Sequence, residues 1–72
     1  MLRGTIKMVV LNRGFGFIVP EEGGKDIFFH FTALKNVKME ELVEGDEVYY
    51  EVESRPKGQQ AVVVEKLKAF KE

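Results

Sequence analysis

The stretch RGFGFIVP, Arg13–Pro20, and the run DIFFHF, Asp26–Phe31, hold five of the six phenylalanines and the only histidine of the chain. Side chains alternate across a strand, so Phe15 and Phe17 share one face and Ile18 takes the other. In the second run Phe28 and His30 share a face, opposite Ile27, Phe29 and Phe31. With Ile18 and Ile27 turned into a core, Phe15, Phe17, Phe28 and His30 all turn outward. The reverse register would expose Ile18, Ile27 and Phe29 instead, so apolar bulk meets water either way. The turn PEEGGKD, Pro20–Asp26, is short enough to make the two runs hairpin neighbours. Their outward faces then merge into one patch of three Phe and one His.

Working outward, Asn12–Gly14 reads as a turn and Ser54–Gln59 as another, with Gly and Pro as punctuation. Between the turns lie five β-rich runs: Leu2–Leu11, Phe15–Val19, Ile27–Phe31, Glu47–Glu53 and Ala61–Lys68. The fourth, EVYYEVE, alternates Val48, Tyr50 and Val52 with Glu47, Tyr49, Glu51 and Glu53, the period of a half-buried strand. Thr32–Leu42 lacks that alternation and reads as a short helical turn after Thr32 followed by irregular loop. Five strands with two early hairpins and a long connection before the fourth predict an all-β, five-stranded antiparallel Greek-key barrel. Closure also removes the edges that an open sheet would leave.

The chain has 72 residues, enough for one domain, with a core over 2–68 and a C-terminal extension at 69–72. A chain of this size buries only roughly 60% of its unfolded surface, which implies modest stability. With no cysteine there is no disulfide framework, thiolate metal site or cysteine nucleophile. The sequence shows no signal-like or membrane-spanning apolar stretch, so a cytoplasmic location without a membrane partner is expected. His30 has no nucleophile or ligand cluster beside it, and Glu21 and Glu22 sit in a solvated turn. No catalysis, metal, cofactor or small-molecule substrate is expected.

Eleven basic residues face twelve acidic ones, which argues against a purely electrostatic binder of nucleic acid. The distribution is uneven: Met39–Ser54 contains Glu40, Glu41, Glu44, Asp46, Glu47, Glu51 and Glu53 with no Lys or Arg. One side of the molecule is therefore expected to repel phosphate. On the other, an exposed apolar patch needs a partner. Flat rings with Lys7, Arg13 and Lys25 nearby suit the stacking of unpaired bases.

These residues resemble a family. GFGFI, Gly14–Ile18, and DIFFHF look like the two ribonucleoprotein motifs of the bacterial cold-shock proteins. LRGTIK resembles the family's first strand, HFTAL (30–34) its motif-to-turn junction and LVEGDEV (42–48) its entry to strand four. KGQQA (57–61) falls where the family has a Gly-Pro-Gln-Ala run. The resemblance covers nearly the whole chain. It implies an OB-fold cold-shock domain that binds single-stranded RNA or DNA without catalysis and melts RNA structure as a chaperone. It further implies base stacking by Phe15, Phe17, Phe28, His30 and Phe31, phosphate or base-edge contacts by Lys7, Arg13 and Lys57, and a base hydrogen bond to Asp26. Phe31 then requires the strand to end or bend, because strict alternation turns it inward with Phe29.

The chain also departs from the family. The family usually reads Lys-Trp-Phe-Asn where this chain reads KMVV, Lys7–Val10. Met8 stands at the stacking tryptophan, Val9 at the phenylalanine, Met39 at a later aromatic and Gln59 at the proline. Each stacked base contributes about 1–3 kcal/mol, so weakened binding is expected. The alternative is an OB barrel that binds protein through MVVL and its acidic side. A closed barrel of this size is expected to be a monomer. Leu67 and Phe70 are expected to extend strand five or cover a core edge.

Overall fold

The computed structural model describes residues 1–67. Five strands form a closed barrel: β1 (Leu2–Val10), β2 (Phe15–Pro20), β3 (Ile27–His30), β4 (Glu47–Arg55) and β5 (Gly58–Lys66). Around the barrel the order is β1-β2-β3-β5-β4. Four of the seams are antiparallel. The fifth, between β3 and β5, is parallel, with Phe28 opposite Gln60 and Phe29 opposite Ala61. The antiparallel pairings require this: β3 runs with β1, β4 runs against β1, and its hairpin partner β5 therefore runs with β3 where the barrel closes.

The core follows the alternation. Ile18, Ile27 and Phe29 are buried, as are Val48 and Tyr50 of β4. Gly16 explains why that face closes so tightly. A Cβ there would stand 2.5 Å from the Met8 carbonyl oxygen and 2.7 Å from Cζ of Phe29. Only a residue without a side chain lets β1 and β2 approach over the Phe29 ring.

Several boundaries differ from the sequence reading. β3 stops at His30, and a 3-10 turn occupies Phe31–Ala33. A second 3-10 turn, Met39–Glu41, forms in the segment expected to be irregular. Its start is held by the Lys38 N–H donating to the Glu41 carboxylate at 3.0 Å. β4 and β5 extend further into the turn than expected, Arg55 pairing with Gly58 across the two residues Pro56 and Lys57. The first strand ends at Val10 and the second includes Pro20. Leu67 does lengthen the β4–β5 seam, donating its N–H to the Glu47 carbonyl at 2.9 Å. The expectations for Lys68, Phe70 and the 69–72 extension lie outside the described residues.

Two register shifts modify the alternation. One lies in β1 between Ile6 and Met8. The other lies in the β4–β5 seam between Glu51 and Val52, so β5 buries Ala61 and Val64 rather than every second residue.

Candidate nucleic-acid interface

The outward faces of β2 and β3 meet as the alternation requires. Phe15 lies opposite His30 and Phe17 opposite Phe28; directly opposed residues of antiparallel strands project to the same face. The Phe15, Phe17 and Phe28 rings form a triangle with centroids 5.5–5.9 Å apart. Each is half-buried by its neighbours, with edge-to-face and tilted contacts that stabilise such clusters.

Phe31 joins this group from outside the strand. Because β3 ends at His30, the Phe31 ring escapes the inward position that alternation would assign and is 51% exposed. It lies 4.6 Å from the His30 ring, tilted by 33°. Two further contacts seat it. The Phe31 N–H donates to the Gly14 carbonyl at 2.9 Å. Gly14, at φ +74°, has no Cβ where one would meet the ring at 2.6 Å. The His30 imidazole is held as well: Nδ1 is 3.0 Å from the Thr32 hydroxyl and accepts a long 3.4 Å bond from the Thr32 N–H.

β1 adds a third strand to the patch, and here alternation alone would mislead. Gly4 and Ile6 are buried, so strict period two would send Met8 inward as well. The register shift leaves Lys7 without a partner on β2 and sets Met8 opposite Phe17. A bulge of this kind re-aims the residues that follow it. Met8 is thus 43% exposed and shares the face of Phe17. Val9 turns in and packs on the core. Val9 is therefore no empty stacking position, and neither is Met39, which is buried in the core cluster.

The polar candidates are arranged less uniformly. Lys7 Nζ donates to Asp26 Oδ2 at 2.7 Å, so the phosphate contact and the base acceptor expected separately are, in the free protein, partners of each other. Both remain substantially exposed, and such a pair contributes about 0–1 kcal/mol, which a ligand can readily displace. Arg13 sits in the β1–β2 turn and Lys57 in the β4–β5 turn, both exposed. Neither makes an ion pair among the described residues. Lys57 lines a shallow groove beside Phe28 with Arg55, Gly58, Gln59 and Gln60.

Two residues of the face were not anticipated. Val10 is the register partner of Phe15, and Gln60 that of Phe28. Gln60 stands at the glutamine of the Gly-Pro-Gln-Ala resemblance, which was the available signal. Val10 had none, because its orientation depends on the bulge.

A closed barrel of this strand order, carrying aromatic side chains on the outer face of β2 and β3, is what the residue match then accounts for. Residues 2–67 match the family described as the "'Cold-shock' DNA-binding domain". The chain belongs to that family. Among similar proteins, the "Major cold shock protein" of Micrococcus luteus is 43% identical over 67 residues, 93% of this chain and 100% of the relative. "Cold shock-like protein CspI" of Escherichia coli K12 is 41% identical over 63 residues, 88% of this chain and 90% of the relative. The solved structure "drosophila Unr CSD456" superposes with a TM-score of 0.76 at 31% identity, covering 93% of this chain and 26% of the other. Of Met8 and Val9, the two β1 positions at which the resemblance leads one to expect aromatic residues, the bulge places only Met8 on the ring-bearing face.

Proposed function

We propose that this cold-shock domain binds single-stranded RNA or DNA by stacking unpaired bases on Phe15, Phe17, Phe28, His30 and Phe31, acting as an RNA chaperone or cold-shock-type regulator. The observation that carries this reading is the ring triangle at 5.5–5.9 Å, continued by the exposed Phe31 ring over Gly14. Rings at this spacing offer successive π-faces to a flexible strand, and every base has a face to give in return. Met8 adds an apolar contact in place of a ring. Arg13 and Lys57 are free to meet phosphate, while Lys7 and Asp26 offer a donor and an acceptor to a base edge once their own pair opens.

Fluorescence anisotropy with labelled oligo-dT, at low and high salt, tests the proposal. Saturable binding that persists at high salt is expected, because stacking releases no counterions. Absence of binding at both salt concentrations would sink it in favour of the protein-interaction reading.

A further inference from the structure

The chain has three methionines and no cysteine, so its thioethers are its only oxidisable sulfur. The structure separates them sharply. Met39 is 9% exposed within the core, whereas Met8 is 43% and the terminal Met1 58% exposed. Of the two accessible thioethers, Met8 is turned onto the ring-bearing face by the bulge at Lys7 and set opposite Phe17, whereas Met1 precedes β1 and lines a groove that reaches Phe28 and Lys57.

We propose that Met8 is a reversible oxidation site that tunes nucleic-acid binding, an inference that rests on the function proposed above. A hydroperoxide supplies the oxygen. The Met8 sulfur attacks its terminal oxygen, an S–O bond forms as the O–O bond breaks, and the proton passes to the departing oxygen. The thioether becomes a sulfoxide, losing two electrons, and the hydroperoxide is reduced to an alcohol, or to water when it is hydrogen peroxide. A dithiol reductant reverses the step, taking the oxygen as water while its thiols become a disulfide.

The consequence follows from what the face has to do. A thioether is polarisable and apolar and lies against an aromatic surface favourably. A sulfoxide carries a strong hydrogen-bond acceptor that water solvates. A base closing over it removes that water and presents its π-face, which donates nothing in return, so binding loses the desolvation free energy of the oxygen. Met8 thereby places a redox-sensitive contact on the ring-bearing face.

The test treats the intact protein with hydrogen peroxide, maps oxygen incorporation by peptide mass spectrometry and titrates oligo-dT before and after. Met8 should oxidise faster than Met39, and affinity should fall about fivefold as Met8 converts. Methionine sulfoxide reductase with a dithiol should restore it. The Met8→Leu variant, whatever its own affinity, should show no fall on the same treatment although Met1 still oxidises. Thermal melting of the oxidised protein checks that the fold is retained. Oxidation of Met8 no faster than of Met39, or full oxidation of Met8 with unchanged affinity, would overturn the proposal alone. Failure of the untreated protein to bind oligo-dT would overturn the function reading and this proposal with it.

Discussion

Phe17 and Phe29 sit in neighbouring strands and differ only in which side of the sheet they face. Phe29 is fully buried, while Phe17 is half-buried among rings on the outer surface. Their alanine variants should therefore separate function from stability. Phe17→Ala should weaken oligo-dT binding by about 1–3 kcal/mol and leave the domain folded, its two ring contacts contributing about 0.5–1.5 kcal/mol each. Phe29→Ala should cost about 3–5 kcal/mol of stability, a large share of what so small a domain possesses. Denaturant titration and oligonucleotide binding on both variants check this. Unfolding of Phe17→Ala would mean that its ring is core and that the outer face is not a platform.

At the scale of elements, the bulge in β1 decides more than any single substitution. It lets one strand bury Ile6, present both Lys7 and Met8 to solvent, and then bury part of Val9. Met8→Trp should consequently strengthen binding to thymine-rich strands by about 1 kcal/mol or more. It should also introduce a tryptophan fluorescence signal, absent from the native chain, that quenches as a base stacks on the indole. The gain should survive high salt. If Met8 instead faced the core, the indole would overpack it and reduce stability by about 1–3 kcal/mol with no gain in affinity, so melting and titration of the same variant distinguish the two orientations.

For the whole molecule, barrel closure sets the electrostatics. In the order β1-β2-β3-β5-β4, the acid-rich β4 lies across the barrel from the β2–β3 seam. Some of its charge is neutralised locally, Glu47 by Arg3 at 2.6 Å and Glu53 by Arg55 at 3.0 Å, but Glu51 is exposed without such a partner among the described residues. The ring-bearing face itself carries few free cations. The salt dependence of oligonucleotide affinity should therefore be shallow, on the order of one to three counterions released; a slope requiring six or more phosphate contacts would contradict this charge arrangement. Barrel closure also buries Tyr50. Burial, reinforced by the negative charge of Glu22, raises its pKa above the ordinary tyrosine value of 10.0. The sign follows: the folded state favours the neutral phenol, so this contribution is intact below about pH 10 and is lost as pH rises through the folded value. Melting temperature should fall on the alkaline side, and Tyr50→Phe should lessen that fall. An identical alkaline profile for the variant would exclude Tyr50 as its source.

The sidedness of β2 and β3 is legible in their residues alone. Alternation is a local property: once Ile18 and Ile27 are core, Phe29 must be core, and Phe15, Phe17, Phe28 and His30 must face outward. The alternation of β4 determined Val48 and Tyr50 in the same way. The tertiary structure alone decided the features that depend on register between distant segments. The bulge that exposes Met8, the turn that frees Phe31, the parallel seam that sets Gln60 beside Phe28, and the Lys7–Asp26 pair all belong here. So does the burial of Met39, in a loop whose local pattern carries no period. A strand's own residues dictate which of them share a face, whereas which partner each one meets, and where the ladder slips by one, is settled only when the barrel closes and its strands must pack at a common distance.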